Sequence, residues 1–396
     1  MKKILSLLLV VLLCSSFSTV IAEEVNVTEY RYSVNEDNTL TIKGIAKRPD
    51  NEKNLIVPAV IDGAEVKTIG PRVITSSDIE TIHISEGIEI IDQKAIFVCF
   101  NLKELYIPST VKSMGGIMGC NKLEKIVIDE KNPYFIIGED GWLYNKDKTE
   151  LYWCPSSVKG TVVIPDGVKI IKKNAFWHCW ELEKVVIGKG VEKIEEEAFV
   201  NLEDSEVIFY NPNTEIIPAF SEYNTHSIGW NKTQVGSFGE IKTVYGYAGS
   251  TAEEVFTKKS NKPSDPESYR AYRTYPEVEF RHIIDIKIDG KTMEFDTIAY
   301  IKNDRTLVPM RAIFEALGAE VSWDDATKTA IGVKDGIEVK ITIGENVLYK
   351  NGEVIELDCA AEITNDRTMV PVRAIGEAFG CTVNWNNEMK TVEVTK

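Results

Sequence analysis

The fold of this 396-residue chain is set by a stretch at residues 162–187, which reads VVIPDGVKIIKKNAFWHCWELEKVVI. It begins and ends with a short strand pattern, Val162/Ile164 and Val185/Ile187, whose alternate side chains face one side. A Pro-Asp-Gly turn, a second apolar pulse and an Ala-Phe step lie between the two strands. A unit of about 23 residues cannot bury its apolar face alone, so the stretch predicts units that stack on one another.

The strand pattern recurs along the first two thirds of the chain. Its seven copies have these paired apolar positions: Leu55/Val57, Ile82/Ile84, Leu105/Ile107, Ile126/Ile128, Val162/Ile164, Val185/Ile187 and Val207/Phe209. A turn and a second apolar pulse follow most copies. The repeats predict a β-rich solenoid of seven rows with caps, over residues 23–262. A longer interval before Val162 contains alternating apolar residues around turn residues, which predicts a hairpin insertion.

These repeats resemble the BspA-like leucine-rich repeat family of bacterial surface proteins. The resemblance rests on the stretch 175–187, its relative at 95–108 and the Asp-Gly-x-Leu-Tyr-Asn segment at 140–145, and it covers roughly residues 30–258. It implies a leucine-rich-repeat solenoid on an exported protein. The first and last rows depart from the pattern because Ser77-Asp78 and Val200-Asn201 replace the cysteine-containing step, which indicates imperfect end repeats.

Three cysteines occupy one position of the repeat. Cys99, Cys120 and Cys179 each precede a leucine by three residues. Equivalent positions of a solenoid point the same way, so we interpret these cysteines as a ladder of small buried hydrophobes. The alternative, a metal site, lacks the close Cys-x-x-Cys pairing that such sites use.

A second repeat, offset by 62 residues, occupies the C-terminal part. Residues 289–333 and 351–395 are identical at 21 of 45 positions, and each copy reads strand, turn, strand, helix, strand. This pattern predicts an α+β module of two similar repeats, with antiparallel strands packed on a helix, over residues 282–396. The Pro- and Ser-containing segment 263–281 is predicted to be a linker.

The C-terminal repeats resemble the copper amine oxidase N-terminal-like domain, a stalk module of exported bacterial proteins. The motif Asn-Asp-Arg-Thr-x-Val-Pro-x-Arg begins at Asn303 and again at Asn365, and a tryptophan follows each copy. The resemblance implies neither copper nor oxidation, because the catalytic domain of such oxidases is a separate one and His282 is the only histidine in this part. We therefore predict a non-enzymatic protein with no cofactor. The i, i+4 pairs Arg311/Glu315 and Arg373/Glu377 are interpreted as surface ion pairs.

The first 22 residues read as a secretory signal peptide: a basic head, an apolar run and a small-residue cleavage site after Ala22. Lipid attachment at Cys14 is the less favoured alternative, because Leu13 stands where a small residue is required. No second long apolar run follows, so we predict no transmembrane anchor. The net charge of −16 argues against nucleic-acid binding.

Aromatic side chains are the best candidates for ligand binding. The predicted site consists of Trp177, Trp180, Phe100, Trp142, Tyr144 and Trp153. With the neighbouring Phe176 and Cys179 facing inward, Trp177 and Trp180 are expected to be partly exposed. Clustered exposed aromatics suit sugar rings or the hot spots of a partner protein. In the alternative interpretation the hairpin folds over these residues and builds a satellite core.

Two further sites remain open in the sequence. Cys359 and Cys381 occur only in the second C-terminal copy, where either a disulfide or two packed thiols would account for them. The acidic residues around the insertion, between Asp129 and Asp147, invite calcium binding, but they lack a calcium-loop register and fit solvated turns better.

These observations lead to one functional hypothesis and two alternatives. The leading hypothesis is a secreted or cell-surface adhesion protein whose solenoid binds a protein or glycan and whose C-terminal module is a stalk or envelope attachment. The first alternative is a cell-envelope structural or assembly protein that binds wall polymer. The second is a polysaccharide-active enzyme with an unrecognised site. The predicted location is extracellular, with cell-wall association as one form of it.

Overall fold

The structure, a computed structural model, describes residues 28–50, 52–217, 238–257, 278–295, 297–364 and 367–396. The predicted signal peptide and most of the predicted linker lie outside these ranges. The chain divides into two compact units. The solenoid unit extends to Val207 and includes Asn213–Lys242, and the C-terminal unit combines Ile208–Pro212, Thr243–Lys259 and Val278–Lys396.

Short strands build the solenoid unit. In chain order they are β1 (Glu29–Val34), β2 (Leu40–Lys47), β3 (Asn54–Val57), β4 (Val60–Ile61), β5 (Ala64–Ile69), β6 (Thr81–Ile84), β7 (Ile90–Ile91), β8 (Glu104–Ile107), β9 (Ser113–Met114), β10 (Lys125–Ile128), β11 (Phe135–Ile137), β12 (Leu143–Asn145), β13 (Glu150–Trp153), β14 (Gly160–Val163), β15 (Ile170–Ile171), β16 (Leu182–Ile187), β17 (Lys193–Ile194), β18 (Phe199–Phe209) and β19 (Glu215–Ile216).

The remaining elements follow in chain order. They are β20 (Phe238–Gly246), α1 (Thr251–Thr257), β21 (Glu279–His282), β22 (Asp285–Ile288), β23 (Lys291–Thr292), β24 (Tyr300–Lys302), β25 (Arg305–Pro309), α2 (Met310–Leu317), β26 (Glu320–Asp324), β27 (Thr329–Lys334), β28 (Ile337–Thr342), β29 (Val347–Lys350), β30 (Glu353–Glu356), β31 (Glu362–Thr364), β32 (Arg367–Pro371), α3 (Val372–Ala378), β33 (Thr382–Asn386) and β34 (Thr391–Thr395).

The seven predicted rows are confirmed as β3, β6, β8, β10, β14, β16 and β18, and the solenoid has about eight turns. Rows β3, β6, β8 and β10 pair in parallel in one sheet, and β14 pairs in parallel with β16 in a second sheet. Equivalent positions of the repeat therefore meet within each sheet. Leu55, Ile82, Leu105 and Ile126 stand opposite one another in β3, β6, β8 and β10. Each of these side chains is buried. The apolar face of one turn is thus covered by the turns on either side.

The second apolar pulse of each repeat forms another parallel sheet. Ile69, Ile91 and Met114 stand opposite one another in β5, β7 and β9. After the insertion, Ile171 and Ile194 continue this arrangement in β15 and β17. Ile69, Ile91 and Met114 meet the inward residues of the first sheet in one buried core, and Ile171 and Ile194 are buried as well.

The insertion is larger than the predicted hairpin. Strands β11, β12 and β13 pair antiparallel, as alternating apolar residues around turns favour. Strand β13 also pairs in parallel with β15, where Leu151 stands opposite Ile171. The insertion therefore rejoins the stack and supplies one of its rows.

Ion pairs link neighbouring turns on the surface. Glu80 accepts hydrogen bonds from Lys103 at 2.7 Å and from Lys53 at 2.6 Å, one on the following turn and one on the preceding turn. These two hydrogen bonds lower the pKa of the Glu80 carboxyl to about 2. Because the groups are exposed to water, such pairs contribute little stability individually. They help to hold the turns in one register.

The C-terminal unit has internal twofold pairing. Val308 of β25 stands opposite Val370 of β32, its equivalent 62 residues later, in an antiparallel pair. The first copy contributes β26 and β27 to a five-stranded sheet, whereas β33 and β34 of the second copy join β22 and β23. Strand β22 pairs in parallel with β34 near the end of the sequence. The two copies therefore complete each other's sheets.

The predicted α+β description is not confirmed, because the C-terminal unit is predominantly β. Within the described ranges the whole chain has three helices, of seven or eight residues. Pro309 and Pro371 are the N-cap residues of α2 and α3. Proline is tolerated at the start of a helix because the N–H that it lacks would have no partner within the helix. Gly318 ends α2 in the left-handed conformation with φ 89°. Helix α2 is short because the proline that begins it and the glycine that ends it lie close together in the sequence.

The turn glycines provide a test of the stacking. Gly167 and Gly190 occupy the same repeat position, yet a Cβ atom on Gly190 would lie 2.1 Å from the carbonyl oxygen of Asp166, on the preceding turn. A Cβ atom on Gly167 would meet nothing closer than the carbonyl oxygen of Lys148 at 3.9 Å. We predict that Gly190→Ala lowers the free energy of unfolding by about 1–3 kcal/mol, because backbone must move. Gly167→Ala should change it by less than about 1 kcal/mol.

Urea denaturation followed by circular dichroism measures both variants. Equal stability of the two variants would show that the turns do not pack as closely as the structure indicates.

Candidate functional site

The third side of the solenoid carries the residues that follow each Ala-Phe step. Neighbouring turns meet there in a parallel bridge between Phe97 and Met118. Val98, Gly119 and His178 hold the same place in their turns, with φ of 58°, 73° and 65°. Each is followed by a buried cysteine. This left-handed residue turns the chain so that the cysteine faces the core and the residue after it faces outward.

The outward residues form an aromatic surface. Phe100 and Trp180, which follow Cys99 and Cys179, are 42% and 45% exposed. Trp177, Phe97 and Met118 are half-buried on the same side of the solenoid. We call the surface formed by these five residues the aromatic face. The partial exposure predicted for Trp177 and Trp180 is present.

The spacing along this face follows from the stacking. Asn121 takes the place of Phe100 on the next turn, and its carbonyl accepts a hydrogen bond from Ser156 at 2.8 Å. The Cys179 thiol reaches the carbonyl of Pro155, which places Trp180 one turn beyond Ser156. The turns that carry Asn121 and Ser156 therefore lie between Phe100 and Trp180. Small polar side chains lie between them.

His178 fixes the two tryptophans. Its ring packs edge-on against Trp177 at 5.4 Å and against Trp180 at 4.7 Å between ring centroids. The His178 side chain is buried, and this burial lowers its pKa to about 4. The ring is therefore neutral near pH 7, and it supports the tryptophans as an aromatic plate without adding a charge.

The aromatics of the insertion are placed differently from those of the aromatic face. Trp142, Tyr144 and Trp153 are only 7%, 2% and 6% exposed. Trp142 packs edge-on against Phe176 at 5.6 Å, and the Tyr144 hydroxyl donates a hydrogen bond to Asp140 at 2.5 Å. These three residues are not available on the surface, so their prediction as ligand-binding residues is wrong. They do not form a separate satellite core either, because Trp153 belongs to the core of the solenoid and Trp142 packs on Phe176 of the repeat. The insertion buries them because β13 joins the stack.

The cysteines of the repeats are buried thiols. Cys99, Cys120 and Cys179 are at most 8% exposed, which confirms them as small hydrophobic members of the core. Cys154, from the row that the insertion supplies, is also buried.

The disulfide suggested for the C-terminal repeats is not formed in the structure. Cys359 and Cys381 are both free and buried. Cys359 packs with Tyr300, Leu307 and Met369, while Cys381 lies in the larger core around the helices. The two thiols occupy different clusters, so packed thiols account for both.

The described residues contain neither a metal-binding group of side chains nor a membrane-spanning helix. No group of three or more His, Cys, Asp or Glu side chains is placed among them to hold a metal ion. His282 contacts a carboxylate oxygen of Glu253 at 2.8 Å. Among the described helices, none has the length and apolar character needed to cross a bilayer.

A second exposed row was missed in the sequence. The middle residues of β3, β6 and β8 point outward, and Ile56, His83 and Tyr106 stand opposite one another there. Ile56 is 62% exposed, and the rings of His83 and Tyr106 stack at 4.0 Å. The signal was present, because an outward apolar or aromatic residue alternates with the buried ones. It was overlooked because only the inward positions define the repeat.

Comparison with known families identifies both parts of the chain. The model of the BspA type leucine-rich repeat region matches residues 57–139 and 152–240 in six copies, and that of the copper amine oxidase N-terminal domain matches residues 287–394. The chain thus carries BspA-type leucine-rich repeats followed by a copper amine oxidase N-terminal domain. Both resemblances found in the sequence are confirmed. No curated protein matches the chain.

Several solved structures are similar to part of the chain. A leucine-rich repeat protein from Eubacterium ventriosum is 18% identical, with 45% of this chain and 63% of that chain covered and a TM-score of 0.30. A leucine-rich cell surface protein from Faecalibacterium prausnitzii is 17% identical (55% and 86% covered, TM-score 0.28). The leucine-rich repeat protein of T. pallidum is 18% identical (45% and 78% covered, TM-score 0.32). The chain covers less than two thirds of the first of these proteins.

The neutral His178 makes stability depend on pH. In the unfolded chain this side chain protonates below its usual pKa of 6.5, whereas in the native state it stays neutral down to about pH 4. The unfolded state binds more protons between these values, so the free energy of unfolding falls as the pH drops through this window. We predict that His178 contributes a loss of roughly 2 kcal/mol at pH 5 relative to pH 7.

Denaturant unfolding of the wild type and of His178→Gln at pH 7 and pH 5 measures this contribution. The variant should be less sensitive to acidification than the wild type. The same pH dependence in both proteins would contradict a neutral buried His178.

Proposed function

We propose that this protein is a secreted, cell-surface, non-enzymatic binding protein whose solenoid recognises a protein or glycan through the aromatic face. Its C-terminal unit serves as a stalk or an attachment to the cell envelope. The observation that carries the proposal is the pair of exposed rings, Phe100 and Trp180, on a rigid stack of turns. Exposed aromatics on a fixed support lose little conformational freedom when they bind, so they make efficient contacts with a ligand.

The two matched families agree with this proposal. BspA-like repeats belong to a family of bacterial surface proteins, and solenoids bind through extended surfaces of repeated residues. The match at residues 287–394 is to the N-terminal domain of amine oxidases and not to their catalytic domain. We therefore expect no oxidase activity. The principal alternative is a cell-envelope structural or assembly protein that binds wall polymer and whose repeats serve only as a spacer.

We predict that the double variant Trp177→Ala/Trp180→Ala binds its ligand at least tenfold more weakly than the wild type. Removal of two interface aromatics typically costs more than about 1.4 kcal/mol, which corresponds to this factor. The measurement is binding of the full chain to a glycan array and to a panel of extracellular proteins. Tyr134→Ala is the control, because Tyr134 is similarly exposed, at 46%, but lies in the insertion. Unchanged affinity in a folded double variant would show that the aromatic face does not bind the ligand.

A second prediction assigns ligand binding to the solenoid and cell association to the C-terminal unit. A chain of residues 23–262 should retain ligand binding. A chain of residues 243–396, which keeps the segments Thr243–Lys259 and Val278–Lys396 of the C-terminal unit, should retain association with washed cells. Fractionation of supernatant and cells, with and without high salt, measures the association. Ligand binding and cell association both found in the C-terminal chain would contradict the assignment.

A further inference from the structure

The C-terminal unit contains a cavity of about 720 Å³ beside the first turn of α2. This volume lies within the range of small-ligand sites in proteins. Its apolar lining consists mainly of Phe295, Met310, Trp323 and Ile363. Trp323 is half-buried, and Ile363, at 57% exposure, stands where the cavity meets solvent. The cavity therefore offers a ligand an aromatic and aliphatic surface that water reaches.

Charged groups of both signs surround this apolar lining. Three of the lining residues are basic and three are acidic: Arg311, Lys328, Arg367, Glu294, Glu315 and Asp325. Asp325 accepts hydrogen bonds from Lys328 at 2.7 Å and from the Trp323 indole at 3.4 Å. The interpretation of Arg311 and Glu315 as an ion pair is wrong, since no salt bridge joins these two residues in the described part of the chain.

An apolar lining surrounded by both basic and acidic groups favours one class of ligand. A polyanion would meet three carboxylates, and a cation would meet two guanidinium groups and an ammonium group. A sugar hydroxyl both donates and accepts hydrogen bonds, so it is served by neighbouring basic and acidic groups together. The apolar face of a pyranose ring also packs well on an indole. The lining thus suits an uncharged carbohydrate better than an ion.

The 62-residue duplication supplies an internal comparison. Trp385 is equivalent to Trp323, is half-buried as well, and donates its indole hydrogen to Asn387 at 3.5 Å. Lys390 donates to the same Asn387 at 2.9 Å, as Lys328 does to Asp325. Trp385 does not line the cavity. The two tryptophans therefore share a local structural role, and only Trp323 has the cavity beside it.

We propose that the cavity at α2 is a carbohydrate-binding site for an uncharged glycan. The proposal deepens the envelope-attachment role of the C-terminal unit and rests on that role for the choice of a wall glycan as ligand. Trp323 stacks on a sugar ring, Arg311 and Glu315 bind its hydroxyls, and Phe295 and Met310 form the apolar wall. Association with the envelope is then binding of the glycan strand, independent of the aromatic face of the solenoid.

The test uses the full chain and two probes: the soluble β-1,4-linked hexamer of N-acetylglucosamine and purified bacterial peptidoglycan. Binding of the hexamer is measured by calorimetry and binding of peptidoglycan by cosedimentation, with polyglutamate as the anionic comparison. Trp323→Ala should weaken binding of both glycans at least tenfold, and the matched control Trp385→Ala should stay within about twofold of the wild type. Thermal unfolding of both variants checks that they fold.

A second pair of variants removes charge without deleting an aromatic ring. Arg311→Met should weaken glycan binding at least threefold, whereas Arg373→Met, at the equivalent exposed position of the second copy, should not. Equal effects of Trp323→Ala and Trp385→Ala, stronger binding of polyglutamate than of the hexamer, or no binding of either glycan by the wild type would overturn the proposal. Cell association that survives Trp323→Ala while glycan binding is lost would leave the cavity assignment intact and refute the attachment role.

Discussion

The whole solenoid depends on the inability of a single turn to bury its apolar side chains. Each turn exposes one apolar edge to each neighbour, and burial is complete only when equivalent residues lie opposite one another. The parallel register of Leu55, Ile82 and Leu105 is the direct result. Because the backbone path repeats, everything that projects outward repeats too. The exposed rings are therefore held by the same contacts that bury the core.

The C-terminal unit meets the same requirement with two copies in place of a stack. Each copy alone would have open sheet edges and a helix with one apolar side. Pairing of Val308 with Val370 and of β22 with β34 closes these edges between the copies. Duplication also allows the copies to diverge, as the replacement of Asp325 by Asn387 illustrates. The cavity at α2 is lined by residues of both copies, and Trp323 lines it whereas its equivalent Trp385 does not.

The sequence predicts the features that arise from short-range repetition. The seven rows, the buried position of Cys99 and the outward position of Trp180 all follow from spacing within a turn. Spacing does not reveal where an irregular segment folds back. The burial of Trp142 and Tyr144 depends on the pairing of β13 with β15. This pairing cannot be predicted from the residues of the insertion alone. The short helices of the C-terminal unit and the separation of Cys359 from Cys381 likewise result from contacts between distant segments.

The pairing of β22 with β34 has a mechanical consequence. These strands run parallel, from Asp285 opposite Thr391 to Ile288 opposite Val394. Tension that enters at the start of β22 and leaves at the end of β34 pulls the strands along their length in opposite directions. All the hydrogen bonds between them then bear the load together in shear, instead of opening one after another. Extension of this kind is resisted by the four paired positions of β22 and β34 at the same time.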